Sequence, residues 1–167
     1  AAVWRILQTP NCLLGHCVGA GKTLVGLNVA TQKRDSSSTH AVFLSGNGPL
    51  VEVLRESLTR DEVERVAQSA KKPRKGPVKQ KVKAFIQNVH HFRDDGLRDD
   101  KAPADHVVIF DEAQRAHDAE RVAKVHDKAV EKSEPQHLLE FCARIPEWCV
   151  LVALIGDGQA IHTGEEG

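Results

Sequence analysis

The 167-residue chain carries 23 Lys and Arg residues against 23 Asp and Glu residues, so its formal net charge is zero and no global field indicates binding to nucleic acid or to a membrane surface. No apolar run approaches the ~20 residues of a membrane helix, and the N-terminus lacks the basic start and apolar core of a signal peptide. These features predict one soluble, cytoplasmic domain with no membrane partner.

The first predicted unit is a strand, a loop and a helix. The apolar run "NCLLG" leads into a glycine-rich turn, and helical spacing begins at Gly21. The helix is expected to pack inward through three apolar residues: Leu24, Leu27 and Val29.

A second unit follows the same order. The β-branched and aromatic run "HAVFLSG" extends from His40 to Gly46 and predicts a buried strand. Pro49 suits the start of the next helix, because its missing N–H would have no intrahelical partner there. The apolar face expected for this helix consists of Leu50, Val53, Leu54 and Leu58.

A basic stretch separates this helix from the later elements. From Ser69 to Lys83 the sequence "SAKKPRKGPVKQKVK" contains no acidic residue and is interrupted by Pro and Gly. It predicts a mobile insertion near residues 69–83 that runs into a helix and contributes no core residue.

The last elements complete an alternating series. "HVVIF" predicts an apolar strand from His106 to Phe110, followed by a charged amphipathic helix as far as about Lys132. Ser133 and Pro135 predict the start of another helix, and "EWCVLVALIGDGQ" predicts a buried strand that ends in a polar turn. The alternation indicates an α/β fold with a mostly parallel sheet covered on both faces, and with ligands at the carboxyl ends of its strands.

Cysteines and histidines do not form a metal-binding pattern in this sequence. His90 and His91 are adjacent, so they point to different sides of an element, and we expect surface residues or satisfied hydrogen-bond partners beside a core Phe92. The cysteines have no CxxC spacing and are expected to be small buried hydrophobes: Cys12, Cys17, Cys142 and Cys149.

The segment "LLGHCVGAGKTLVGLNVA" resembles a glycine-rich loop that holds a nucleoside triphosphate. Such a site needs inward-pointing amides, a cation on the outer phosphates, a hydroxyl on Mg²⁺ and a helix N-terminus. Lys22 supplies the cation and Thr23 the hydroxyl, whereas His16 occupies the position of the first glycine of the pattern. The alternative is a chance GKT sequence at a helix start. The residues predicted to bind the nucleotide here are Gly19, Ala20, Gly21, Lys22, Thr23 and Leu24.

Two further strand ends carry polar groups that suit this chemistry. "VVIFDEAQR" places Asp111 to hold Mg²⁺, usually through water, and Glu112 to orient and deprotonate the attacking water. "LIGDGQ" places Gln159 where its amide could sense the γ-phosphate. The alternatives are solvated helix-start carboxylates and an ordinary polar turn. The order of the three motifs favours a triphosphate site with Thr23 and Asp111 on Mg²⁺, and with Glu112, Lys22 and Gln159 as catalytic residues.

The trio GAGKT, DEAQ and GDGQ resembles motifs I, II and III of superfamily-one helicases. Together with "LSGNGPLVEVLRE" and "GDGQAIHTGEEG", it is similar to the Schlafen-group-3-like DNA/RNA helicase domain family over nearly the whole chain. The resemblance implies a three-layer αβα P-loop NTPase lobe of the RecA-like type, with ATP and Mg²⁺ as ligands. The chain departs from the family at His16, Cys17 and Val18, where the family usually has Gly, a variable residue and Pro.

Residues 1–167 are interpreted as a single lobe and as a fragment, because the chain contains no Met and stops at "HTGEEG" directly after a strand and a turn. The resemblance implies a second lobe of the same protein that supplies an arginine finger. It also implies an upstream glutamine that reads adenine, and Gln8 lies too close to Lys22 to serve as this residue.

Two segments are candidate contacts for single-stranded DNA or RNA. "SGNGPL", from Ser45 to Leu50, resembles the family motif that faces the strand, and its alternative interpretation is a plain strand-to-helix turn. The basic residues from Lys71 to Lys83 could follow a nucleic-acid backbone, and the alternative is a solvated loop.

These features predict the first lobe of an ATP-driven, helicase-like motor that acts on DNA or RNA. One alternative is a nucleotide-dependent switch that gates a partner protein without translocation. A second alternative is a nucleic-acid-binding module with an inactive nucleotide site, since His16 departs from the loop pattern. Stimulation of hydrolysis by single-stranded nucleic acid would separate the motor from the switch.

Overall fold

The computed structural model describes residues 13–16, 21–34, 40–69, 74–126 and 132–156. Five strands of this part lie in one sheet: β1 (Leu13–His16), β2 (His40–Ser45), β3 (Ile86–Asn88), β4 (Asp105–Asp111) and β5 (Val150–Gly156). The helices are α1 (Lys22–Arg34), α2 (Gly48–Ser69), α3 (Lys75–Phe85), α4 (Val89–Arg98), α5 (Ala119–His126) and α6 (Glu134–Cys142), and a 3₁₀ turn (Ala113–Arg115) follows β4. None of these helices is long and apolar enough to cross a membrane.

Every strand pair in the described sheet is parallel, and the strand order is β1-β5-β4-β2-β3. The parallel sheet predicted from the sequence is therefore confirmed. Because parallel strands run in one direction, all five carboxyl ends lie at one edge of the sheet. β5 lies between β1 and β4 at this edge.

The core has two halves, one on each face of the sheet. Alternate residues of the central strands point to opposite faces. Phe43 and Ile109 pack with buried residues of α1, α2 and α3, whereas Leu44 and Phe110 pack with buried residues of α4 and α6. These four side chains are at most 3% exposed. The fold therefore has the three layers that the sequence predicted.

The inward faces of α1 and α2 differ from the prediction at two positions. Leu24 is 71% exposed and Val53 is 62% exposed, whereas Val51 is only 1% exposed. A helix presents residues three or four positions apart to the same side. In α1 the side that contains Val29 therefore excludes Leu24, and in α2 the side that contains Val51 excludes Val53. Leu50 is partly exposed. The remaining predicted residues lie in the core or pack against it: Leu27, Val29, Leu54 and Leu58.

The basic stretch runs into a helix from Lys75 onward, as predicted, but this helix contributes core residues where none was predicted. α3 directs Val78 and Val82 inward, where they are 8% and 1% exposed, and Phe85 continues this face. Spacings of four and three residues make the helix amphipathic, so its lysines lie on the exposed side. Residues 70–73 of the stretch lie outside the described residues.

Of the two helices on either side of Lys132, the first starts later than predicted and the second starts where it was predicted. The charged helix expected directly after β4 starts only at Ala119, after the 3₁₀ turn, and Asp118 Oδ1 accepts the amide of Arg121 at 2.8 Å. Its predicted continuation over residues 127–131 lies outside the described residues. The start of α6 is confirmed: Ser133 is the N-cap, and its amide donates to Gln136 Oε1 at 2.8 Å.

Gly26 allows α1 to lie close to the sheet. A Cβ at this position would be 2.7 Å from Leu154 Cδ1 and 2.9 Å from Ile109 Cγ2, both in the core. We expect Gly26→Ala to lower the free energy of unfolding by about 1–3 kcal/mol, the usual cost of overpacking, although Ala normally stabilises a helix interior.

Gly76 in α3 is the matched control, because nothing lies within 4 Å of its added Cβ. Gly76→Ala should leave stability unchanged or raise it by up to about 1 kcal/mol. Urea unfolding of both variants checks this pair. An equal or higher stability of Gly26→Ala would mean that α1 does not press against the sheet as described.

Candidate functional site

The carboxyl ends of the strands bring the predicted motifs to one edge of the sheet. His16, which precedes the glycine-rich loop, pairs with Gly156, which precedes the GDGQ residues Asp157 to Gln159. Asp111 pairs with Leu154 of β5 on one side and with Ser45 of β2 on the other. In sheets of this type, ligands bind outside the carboxyl ends of the strands, so this edge is the candidate site.

Thr23 and Asp111 meet at this edge although 88 residues separate them in the sequence. Thr23 Oγ1 donates a hydrogen bond to Asp111 Oδ2 at 2.7 Å. Asp111 is 1% exposed, and burial raises the pKa of its carboxyl group above the usual value, against the lowering effects of the Thr23 hydroxyl and the Lys22 charge. A cation beside this carboxylate would reduce the cost of burying its charge.

Lys22 begins α1, and Gly21 sets its entry angle. Gly21 has φ 78°, a left-handed conformation that glycine adopts readily, and its carbonyl accepts the amide of Val25 at 2.9 Å. The first turn of α1, whose N–H groups have no partner within the helix, therefore starts at the edge that holds Asp111. Leu24 lies in the same turn with its side chain exposed.

Glu112 has an unusual backbone conformation, with φ 56° and ψ 42°. It is the one non-glycine residue with positive φ among those described. A side-chain-bearing residue in this region costs on the order of 1–3 kcal/mol, and such residues cluster at functional sites.

Gln114 connects Glu112 to the end of β5. Its Nε2 donates to Glu112 Oε2 at 2.5 Å, and its Oε1 accepts the amide of Gly156 at 3.1 Å. Arg115 Nε lies 3.7 Å from the same Glu112 oxygen. Gln114 was not predicted as a site residue, although its place in the DEAQ motif was a usable signal. The side chain holds the carboxylate in a fixed position relative to the neighbouring strand.

The described residues of this edge fit a triphosphate with Mg²⁺. Mg²⁺ prefers oxygen ligands, and the Asp111 carboxylate and Thr23 hydroxyl supply two in contact with each other. Lys22 adds a cation at a helix N-terminus, where anions bind. Three of the predicted residues, Gly19, Ala20 and Gln159, lie outside the described residues, as does the side chain of His16.

The turn after β2 contains the predicted nucleic-acid segment from Ser45 to Leu50. Ser45 is fully buried, and its hydroxyl accepts the amide of Asn47 at 3.2 Å. Asn47 Oδ1 accepts the amide of Leu50 at 3.2 Å, so Asn47 caps α2. The turn is thus a well-formed strand-to-helix connection at the same edge as Asp111, and its contact with nucleic acid stays a prediction.

A group of polar residues lies around Glu134. His90 is a satisfied hydrogen-bond partner, as predicted: its Nδ1 lies 2.7 Å from Oε1 of the fully buried Glu134. His91 is exposed and Phe92 is in the core, also as predicted. Glu134 and His117 were not predicted as neighbours of His90, because each comes from a distant part of the chain.

Two of the four cysteines lie in the described part. Cys142 is buried, as predicted, and Cys149 is partly buried. Cys12 and Cys17 lie outside it.

Comparisons with known proteins agree with this description. A family model described as "Schlafen group 3, DNA/RNA helicase domain" matches residues 15–167. The crystal structure of the Pyrococcus furiosus Hef helicase domain superposes with a TM-score of 0.55 at 15% sequence identity, covering 95% of the present chain and 32% of the Hef chain. The chain thus spans about a third of the length of that structure. No curated protein matches the sequence significantly. The fold is the three-layer αβα fold of RecA-like P-loop NTPases, as predicted.

Proposed function

Because the chain belongs to the Schlafen group 3 DNA/RNA helicase domain family, we propose that it is the first lobe of an ATP-driven motor that acts on DNA or RNA. In this proposal ATP and Mg²⁺ bind at the carboxyl edge of the sheet. The family and the RecA-like fold support a helicase-like, nucleotide-dependent role.

The contact between Thr23 and Asp111 is the observation that carries the proposal. It joins the start of α1 to the end of β4, and places a hydroxyl and a buried carboxylate 2.7 Å apart beside Lys22. A bound Mg²⁺ would neutralise charge on the outer phosphates. The chain's own residues would hold the nucleotide: Lys22 by charge-assisted contacts, and Gly19, Ala20, Gly21 and Leu24 through the loop and the first turn of α1.

Glu112 is the proposed general base. Its carboxylate would orient the attacking water and take its proton, and Gln114 would keep that carboxylate in position. Gln114 also accepts a hydrogen bond from the amide of Gly156, so a movement of the Glu112 side chain would shift the end of β5. We propose that Gln159, which follows this strand end, senses the γ-phosphate.

A second lobe is part of the proposal for the whole protein. The solved Hef chain is about three times as long as the part matched by the present chain. We propose that an arginine from the second lobe neutralises charge in the transition state, as in other P-loop enzymes that receive such a residue from outside the lobe.

Nucleic acid would contact this lobe at two places. The turn from Ser45 to Leu50 lies at the same edge as Asp111, since Ser45 and Asp111 are paired residues of β2 and β4. α3 exposes Lys79, Lys81 and Lys83 around its buried face, with Lys79 and Lys83 one turn apart on one side of that face and Lys81 on the other side. A polyanion could bind these lysines without disturbing the core.

Replacing Lys79, Lys81 and Lys83 with Gln should reduce the salt dependence of binding to single-stranded nucleic acid. Each neutralised phosphate releases condensed counterions, so the slope of log K against log salt should fall by about 0.7 per lost contact, and by about 2 if all three residues bind. Fluorescence anisotropy of a labelled oligonucleotide over a salt series gives both slopes.

The matched control replaces three exposed lysines elsewhere, Lys101, Lys124 and Lys132, which form ion pairs with acidic neighbours. This variant should keep the original slope. If the two triple variants share the original slope, α3 is a solvated helix and not a nucleic-acid contact.

A nucleotide-dependent switch is the second candidate. The link from Glu112 through Gln114 to Gly156 would serve equally to report nucleotide state to a protein partner. The test is phosphate release with and without a single-stranded oligonucleotide. A motor requires stimulation by the oligonucleotide, whereas a switch requires a partner protein.

A further inference from the structure

Three polar residues from separate segments of the chain lie close together. His90 is the second residue of α4, His117 follows the 3₁₀ turn, and Glu134 begins α6. One ligating atom from each, two imidazole nitrogens and a carboxylate oxygen, lie within 4.8 Å of one another. We call these three residues the His–Glu cluster.

His117 has an unused ring nitrogen inside the protein. Its Nδ1 is buried and has no hydrogen-bond partner among the described residues. Leaving such an atom unpaired costs about 1–3 kcal/mol, so a buried orphan of this kind calls for an explanation. The His117 ring stacks on the His90 ring, with the ring centroids 4.3 Å apart and an angle of 26° between the ring planes.

Arg93 is shared between Glu134 and a second carboxylate. Arg93 Nη1 lies 3.0 Å from Glu134 Oε1, while its Nε and Nη2 bind Asp94 Oδ1 at 2.9 and 2.7 Å. One guanidinium therefore faces two carboxylates. Glu134 Oε1 also contacts His90, whereas Oε2 accepts the amide of His117 at 3.1 Å. Since each carboxylate oxygen has two lone pairs, Oε2 can take a second partner.

We propose that His90, His117 and Glu134 bind a divalent transition-metal ion of the Zn²⁺ class. Two imidazoles and one carboxylate form a ligand set typical of Zn²⁺, whereas Mg²⁺ prefers oxygen ligands alone. The His90 side chain is 28% exposed, so water can reach the cluster and fill the fourth position. The ion would join α4, α6 and the segment that follows Glu112, and would hold the base-carrying segment against the helical layer.

Co²⁺ is the probe for this site, because its visible absorption reports coordination by nitrogen and oxygen ligands. The chain is titrated with Co²⁺, and Zn²⁺ is then added as a competitor. The main variant is His117→Phe, which keeps a ring for stacking and removes the ligand. It should weaken binding by at least about 100-fold, the upper end of the loss seen when only a supporting partner of a metal ligand is removed. His91→Ala, which changes an exposed neighbouring histidine, should bind as the original chain does.

Absence of binding by the original chain, or equal affinity in His117→Phe, would overturn the proposal. If His117→Phe fails to fold, X-ray absorption of the Zn²⁺-loaded original chain decides. Two imidazole ligands on the zinc support the site, and a zinc shell with fewer than two rejects it. Mg²⁺ at the same concentration should leave the Co²⁺ spectrum unchanged, which separates this site from the Thr23 and Asp111 edge.

Discussion

Lys22→Ala should weaken the binding of Mg²⁺·ATP by about tenfold to a hundredfold. Lys22 begins α1 at the edge where Thr23 contacts Asp111, and its charge lies close enough to lower the pKa of Asp111. A hydrogen bond to a charged group contributes about 1.5–3 kcal/mol, and every 1.4 kcal/mol is a factor of ten in affinity. No neutral side chain replaces a cation on the outer phosphates.

Titration calorimetry of ATP into the chain and into this variant measures the effect. Lys101→Ala is the control for a lost positive charge, because the Lys101 side chain is 86% exposed and lies outside the proposed site. It should bind ATP as the original chain does. Unchanged affinity in Lys22→Ala would remove Lys22 from the nucleotide site.

Glu112→Gln should reduce ATP turnover by about 10²- to 10⁴-fold, the usual contribution of a positioned general base, and should leave ATP affinity nearly unchanged. Gln has the size of Glu but cannot accept the proton of the attacking water. Thr23 and Asp111, which we propose to bind the metal, are not altered, so ground-state binding should persist.

Turnover is measured by phosphate release from the protein that carries both proposed lobes, with a single-stranded oligonucleotide present. Glu147→Gln, at an exposed position far along the chain, controls for the lost negative charge. Loss of affinity in Glu112→Gln would place this residue in binding, and full turnover would exclude it as the base.

Much of the fold could be predicted because its strands are strongly apolar. The runs "HAVFLS" and "HVVIF" correspond closely to β2 and β4, and the cap at Ser133 marks the start of α6. Strands that alternate with helices leave few arrangements other than a parallel sheet. The three-residue β3 was not predicted, because it is too short to show a period and follows α3 directly.

Burial along the helices was harder to predict than the strands. α1 and α2 contain apolar residues on more than one side, so Leu24 and Val53 were assigned to the core although both are exposed. The opposite error occurred in α3, where many lysines obscured the buried pair Val78 and Val82. Only the packing of each helix against the sheet decides which apolar side faces inward.

The candidate site was predictable where short motifs carry it and not where distant residues meet. Thr23 and Asp111 were both identified, and their contact over 88 residues follows from the shared edge of the sheet. The pairing of His90 with Glu134, 44 residues away, had no such signal. Sequence periodicity reports which residues share a face of one element, but it does not report which elements meet.

The rate of Mg²⁺·ATP hydrolysis by the full-length protein, measured as a function of single-stranded oligonucleotide concentration, tests the motor proposal most directly. For a motor, the rate should rise to saturation with the oligonucleotide, and Glu112→Gln should abolish it. If the protein binds ATP through Lys22 but its hydrolysis rate does not depend on DNA or RNA, the motor proposal is contradicted. The nucleotide-dependent switch would then be the remaining candidate.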